Sequence, residues 1–243
     1  APALGGASFS AAQALPATSW YDDPASWNSY DLVMLSCEGG QYLNYKSPQA
    51  IANLEGFLNK GGRVLATHLH NGWLQSAQPP QRLQSVATFG TGTGPDPVTA
   101  LIDLTTSPTN ELGNWLNQDT VLGSPVAGQL QVRRPGYSIM ALNSSLAQSW
   151  ISYQPAVGAA VPQAFSFAAP VSAFRPKWCG KMVFSDFHAS SGAGGVTLPE
   201  GNTAPLGVVQ ADGYLPKEPQ ALKEQIGPTN NQPRSYTPAT QPC

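Results

Sequence analysis

Charge is the scarcest commodity in this sequence. Asp, Glu, Lys and Arg make up only 11% of its 243 residues, less than half the roughly 25% of an ordinary globular domain. The 12 basic and 14 acidic residues leave a formal net charge of −2. The basic residues are scattered, with Arg133-Arg134 the one doublet. Phosphate recognition needs a basic patch or stripe, so nucleic acid is excluded as a partner. No apolar run approaches the ~20 residues that a membrane span requires. Residues 1–15 lack the basic start and continuous apolar stretch of a secretory leader. Any such leader is expected upstream of Ala1.

Cysteine is nearly absent too. Cys37, Cys179 and Cys243 are too widely spaced for a zinc ribbon or a redox CxxC pair. Cys37 closes an apolar run and reads as buried. Cys179 and Cys243 sit in loop-like contexts. A bridge between them would tie down the C-terminal tail, and an exported chain would favour it. The alternatives are that each thiol is free or that a partner lies on another segment of the precursor.

What fills the gap is Ser, Thr, Asn, Gln, and 24 Gly with 23 Pro. Such a composition makes long loops and a neutral surface. It points to a secreted or cell-surface protein. Hydrophobic residues still reach 41%, enough for a real core.

The first clear element is Asp31–Cys37, an unbroken apolar run of the kind buried on both faces of a parallel sheet. Glu38-Gly39-Gly40 ends it. Ser47 then offers an N-cap and Pro48 suits the first helical turn. Ile51, Leu54, Phe57 and Leu58 fall on one helical face, and Gly61-Gly62 stops the helix. Arg63–Thr67 follows as a second strand. A strand–helix–strand unit with short joints makes a parallel pair with a right-handed crossover. Further strands are expected at 98–105, 128–133, 147–153 and 163–168, some antiparallel. A short helix is expected at 110–117, with Leu112, Trp115 and Leu116 inward. Lys181–Ser185 is the last strong strand. Residues 1–29 read as loop with at most a helical turn, 189–215 as Gly-rich loop, and 218–225 as a helix. The expected organisation is one α/β domain over 1–226 and an irregular Pro-rich tail over 227–243. The fold expected is flavodoxin-like: a mostly parallel central sheet with helices on both faces, plus antiparallel strands and long loops.

Chemistry-bearing residues gather at strand ends. Glu38 follows the first strand, His68 and His70 the second, and Asp186 and His188 the last. Ligands of parallel α/β sheets bind outside the carboxyl ends of the strands, so these five residues share one rim.

Three motifs carry a family resemblance: Cys37-Glu38-Gly39, Gly61–His68 running on to His70 and Trp73, and Ser185-Asp186-Phe187-His188. In these the chain resembles the class I glutamine amidotransferase superfamily, nearest its trehalose-utilisation (ThuA-like) branch. It also resembles a group of secreted bacterial proteins from myxobacteria and their relatives. The match is specific over 30–74 and 179–189. The resemblance implies that His68 stands where amidotransferases present a cysteine nucleophile at a sharp strand–helix turn. It also implies that His188 matches their late catalytic histidine. Glutamine hydrolysis by a thiol is therefore not expected. The resemblance further implies a strand and helix ahead of residue 31, which 1–29 do not supply; an upstream segment of the same precursor is the expected source.

Two functions remain open at this point. In one, His68, His188 and Glu38 are catalytic, His70, Trp73 and Asp186 bind a small polar ligand or carbohydrate, and hydrolysis is the reaction. His68, His70 and His188 would then hold a divalent metal such as zinc, since an i, i+2 pair on extended chain shares a face. In the other, the chain is a non-catalytic extracellular binding or surface-assembly module with a vestigial site. Asp186 would then orient an imidazole or cap a loop. Tyr42 and Tyr45 lie near the same rim and suit either stacking on a sugar or packing.

Overall fold

The computed structural model describes residues 17–35, 40–76, 82–118, 128–132, 134–173, 177–187, 195–197 and 203–205. The chain divides into two units, one over 15–189 and one combining 1–14 with 190–243. In the second unit, β10 (Gly195–Thr197) and β11 (Thr203–Pro205) pair antiparallel.

The larger unit begins with two short helices, α1 (Ala17–Asp22) and α2 (Pro24–Asn28). Asp23 caps α2, accepting from the amides of Ala25 and Ser26, and Pro24 occupies the first turn. Next come β1 (Leu32–Leu35), α3 (Pro48–Asn59), β2 (Arg63–Thr67), a single 3-10 turn over His68–Asn71 and the short α4 (Gly72–Gln75). The chain continues through β3 (Ala87–Phe89), β4 (Val98–Ile102), α5 (Ser107–Gln118), β5 (Gln129–Val132), β6 (Ile139–Leu142), β7 (Ala147–Tyr153), β8 (Val161–Ala169) and β9 (Gly180–Ser185).

Seven strands form one sheet in the order β1-β2-β9-β8-β7-β4-β5, and β3 pairs with β6 separately. The expected parallel unit is present: β1 pairs parallel with β2, and β2 with β9. The remaining pairings, β9-β8, β8-β7, β7-β4 and β4-β5, are all antiparallel. The expectation of a mostly parallel sheet is therefore corrected to a mixed one. The reason is loop length. Residues 154–160 join β7 to β8, too short for a parallel crossover and sufficient for a hairpin.

Helix α3 forms as its sequence dictates. Ser47 Oγ accepts from the Ala50 amide, Pro48 opens the helix, and Ile51, Leu54, Phe57 and Leu58 are all buried. It ends at Gly61, whose φ of +103° only glycine adopts freely. Helices α1, α2 and α3 pack with one face of β1, β2, β9 and β8. There Val33, Leu35, Val64, Ala66, Met182, Phe184, Phe165 and Phe167 make a continuous core with Trp27, Trp73 and β3–β6. Burying each large side chain of this kind contributes about 1.5–3 kcal/mol.

The other face is divided. Over β4, β5 and β7 a smaller core of Val98, Ala100, Ile102, Val132, Ile151 and Ala164 is joined by Leu112 of α5. Over β1 the face is open, with Leu32 53% and Met34 65% exposed. The expected helices on both faces are thus reduced, among the described residues, to one helix over one end of the second face. The inward placement of Trp115 and Leu116, the 218–225 helix, the 227–243 tail and the burial of Cys37 lie outside what is described.

Candidate functional site

Register fixes one rim. Thr67, the last residue of β2, is level with Ser185, the last of β9. The chain therefore leaves both strands side by side, into His68 and into Asp186. Glu38 and His188, three residues beyond β1 and β9 in sequence, lie outside the described residues, as does Cys243.

His68 is the first residue after β2 and has a φ of +43°. Left-handed backbone at a residue with a Cβ costs about 1–2 kcal/mol and persists only where its surroundings enforce it. The enforcement here is a bend from strand directly into the 3-10 turn and α4. His68 is half-buried, whereas His70 is buried.

The Trp73 indole N–H donates to His70 Nδ1 at 3.1 Å. An indole nitrogen only donates, so Nδ1 is the acceptor and the ring proton of neutral His70 sits on Nε2. The argument that His68 and His70 share a face fails, because they lie in a tight turn rather than on extended chain. In such a turn, residues three apart, not two apart, eclipse. With Nδ1 of His70 engaged, the pair does not fit joint ligation through that atom. Among the described residues no group of three or more His, Cys, Asp or Glu side chains could hold a metal.

Trp73 is fully buried and offers no open ring face. It meets Trp27 edge-on at 5.8 Å and Tyr21 edge-on at 4.8 Å. Trp27 in turn donates to the Tyr21 carbonyl at 2.9 Å. Helices α1 and α2 thus brace the rim turn from beneath.

Residues 40–46 lean on the same turn. A Cβ on Gly72 would stand 2.7 Å from Leu43 Cδ2 and 3.3 Å from Lys46 Cδ, so glycine is what allows the approach. Gln41 Nε2 donates to Asn71 Oδ1 at 3.1 Å. Lys46 is buried, donates to the Gln41 carbonyl and lies 5.6 Å from the Trp73 ring centroid. Asn71 is 1% exposed, and its Nδ2 has no hydrogen-bond partner among the described residues. Tyr42 and Tyr45 stack at 5.5 Å and 18°, both about half exposed.

Asp186 is held by the 138–139 segment. Its Oδ2 accepts from the Ser138 amide at 2.7 Å and the Ile139 amide at 3.2 Å, and its Oδ1 accepts from Ser138 Oγ at 2.6 Å. A Cβ on Gly136 would fall 1.9 Å from the Asp186 carbonyl oxygen. Gln163, fully buried, donates to the Gly136 carbonyl at 2.8 Å. Burial pushes the Asp186 carboxyl up to about 6, against the downward pull of the Ser138 and Ile139 hydrogen bonds. These contacts are those of a loop anchor.

Gln41, Lys46 and Asn71 were not anticipated, nor was the bracing by Tyr21 and Trp27. Asp23-Pro24 was the available signal for the two short helices. Cys179, just before β9, is disulfide-bonded to a partner outside the described residues.

No family model matches the chain, and no curated protein matches it. It is similar to a solved ThuA-like protein from Bacteroides uniformis, at 8% identity and a TM-score of 0.43, over 72% of this chain and 65% of that one. It thus spans just under two thirds of that protein's length. It is also similar to a cytoplasmic protein from Salmonella typhimurium, at 13% identity and a TM-score of 0.39, over 74% of this chain and 71% of that one. Among the described residues, no helix is long and apolar enough to cross a membrane.

Proposed function

We propose that this chain is a secreted amidotransferase-like domain in which an imidazole has replaced the thiol at the strand-to-helix elbow, and that its rim binds a small polar ligand. The observation that carries the reading is the left-handed backbone of His68 at the end of β2. Strained residues cluster where a side chain must be presented, and a sharp strand–helix turn is how nucleophiles are displayed on α/β sheets. The elbow is retained although its usual occupant is not.

Asn71 supports the same reading. A buried donor without an acceptor calls for an explanation, and an oxygen of a bound ligand is one. Glu38 and His188 belong to the reading by sequence alone, each three residues after a strand of the parallel end. Trp73 and Asp186 support it indirectly, one beneath the turn and one at the neighbouring junction. The chemistry open to the rim is hydrolysis, with an imidazole taking the proton of an attacking water. No step through a metal is included, since His68 and His70 do not share a face.

The test is ligand-observed NMR with a panel of polyols, sugars, carboxylic acids and primary amides. Wild type should bind one class at millimolar concentration, and His68→Ala and Asn71→Ala should each weaken it tenfold or more. No binding from any class, or binding untouched by both variants, overturns the reading. Release of ammonia from glutamine by wild type overturns it as well.

The open face of β1 favours a second reading, a non-catalytic module for binding or surface assembly. Exposed Leu32 and Met34 are the observation behind it. A soluble monomer at high micromolar concentration, with ligand binding at the rim, would count against it.

A further inference from the structure

The open face of the sheet is ordered in rows. Register sets Leu32, Arg63 and Lys181 level across β1, β2 and β9, and Met34, Leu65 and Val183 level in the next row on the same face. Leu32 and Met34 are exposed, and Leu65 and Val183 are half-buried. The second row is wholly apolar, while the first, at the amino end of the strands, carries two cations. Among the described residues neither Arg63 nor Lys181 has a carboxylate partner. Lys181 Nζ lies 5.2 Å from the Trp150 ring centroid. Burial, and then the charge of Arg63, hold its ammonium below the usual lysine range. Like charges side by side on a sheet repel. In a chain this poor in charge, two cations set together on an apolar face call for an anion from outside. The three open strands are about 10 Å across at ~4.8 Å spacing, and the five residues of β2 run about 16 Å at ~3.3 Å each. One helix of about three turns covers that area, and a layer of helices is how an α/β sheet buries such a face.

We propose that the open face of β1, β2 and β9 docks an amphipathic helix of a partner protein, with the helix's apolar stripe on Met34, Leu65 and Val183 and its acidic carboxyl-terminal turn over Arg63 and Lys181. The carboxyl end of a helix carries partial negative charge, so the cations also set its direction, antiparallel to the strands. A second copy of this face is the poorer occupant, since its rows hold the same two cations and no acidic residue. The proposal rests on the open face that supports the second reading above, and not on what the rim binds.

The test uses the full chain and a fluorescent, side-chain-stapled helical peptide of about three turns, with Leu at i, i+3, i+4 and i+7 and two Glu in its last turn. Anisotropy should show saturable binding at micromolar concentration. The same peptide with Lys in place of Glu should bind at least tenfold more weakly. Met34→Asp, at an exposed position, should weaken the Glu peptide tenfold or more, as should Arg63→Glu. Arg63→Glu combined with Lys181→Glu should reverse the preference, and the gained binding of the Lys peptide shows that the variant is folded. Rim-ligand binding by these variants should match wild type, so that failure at the rim and failure at this face read separately. No binding, equal binding of the two peptides, or binding indifferent to Met34→Asp overturns the proposal. So does a dimer that Met34→Asp dissociates, or flotation with phosphatidylglycerol vesicles that the Glu peptide does not displace, because a second copy or a lipid surface would then be the occupant.

Discussion

The two ends of the seven-stranded sheet are built on different principles. At one end β1, β2 and β9 run parallel, are joined by a helical crossover, and bury one face deeply while the other stays open at β1. At the other end β8, β7, β4 and β5 run antiparallel, β7 and β8 joined by a short loop, with α5 laid over part of the second face. The parallel end carries the strained histidine. None of the candidate site residues lies on a strand of the antiparallel end. The contrast teaches that a parallel edge gathers strand ends into a rim, while the antiparallel remainder supplies width and an anchor. The seam between the ends is β9, and two features there tie it down: Gly180 at its start and Asp186 just past its finish.

The largest effect should come at the first of these. A methyl on Gly180 would lie 1.9 Å from the Leu58 carbonyl oxygen at the end of α3. Gly180→Ala should cost more than about 4 kcal/mol, the range kept for overpacked or strained positions, read as a collapse of the urea midpoint. A cost under about 1 kcal/mol would mean that α3 does not clamp the seam.

Asp186 comes next. Asp186→Ala leaves the Ser138 and Ile139 amides without an acceptor and should cost about 2–4 kcal/mol. Asp186→Asn keeps an acceptor and should cost less. The pH dependence has a definite sign. The folded carboxyl is raised to about 6 from 3.8, so the folded state holds its proton more tightly than the unfolded chain. The contribution is complete below about pH 4 and is lost as pH rises through about 6, a change on the order of 3 kcal/mol. Urea unfolding of wild type against Asp186→Asn between pH 4 and pH 7 should show the difference. A difference that does not vary with pH would show the anchor to be fully ionised throughout.

At the elbow the effect is smaller and of opposite sign. His68→Gly should stabilise by about 1 kcal/mol by relieving the left-handed backbone. That corresponds to roughly 2–4 °C in Tm for a domain of this size, and ligand binding should be lost with it. Destabilisation by His68→Gly would mean that the backbone is not strained there. Smallest of all, Met34→Ser on the open face of β1 should change stability by less than about 0.5 kcal/mol. Its neighbour Val33→Ser should cost at least about 2 kcal/mol. Equal costs at the two positions would show that the second face is covered.

The parallel end was the legible end. Its strands are short apolar runs, its helix carries a cap, a period and a stop, and those signals are local. The rim followed from them, because the carboxyl ends of parallel strands lie together whatever the side chains do. The antiparallel strands expected at 98, 128, 147 and 163 were also visible, but their partners were not. Alternation says that a strand has two faces without saying which strand lies beside it. The contacts of Asp186 with Ser138 and Ile139 and of Trp73 with His70 were illegible for a further reason. They hang on backbone amides and side-chain directions that a residue list does not encode. The i, i+2 histidine argument failed on one torsion, the φ of His68, where the extended chain it assumed turns into a 3-10 bend.

The aromatic bracing under the rim has a consequence for anyone wishing to move this site. A strand and its turn look portable, since residues 63–73 are contiguous. Yet Trp73, which fixes the tautomer of His70, is itself held by Trp27 and Tyr21 from a stretch more than forty residues earlier. The smallest transplantable piece is therefore the strand, the turn and the two short helices beneath it. A graft that leaves those helices behind would carry the histidines but not their geometry.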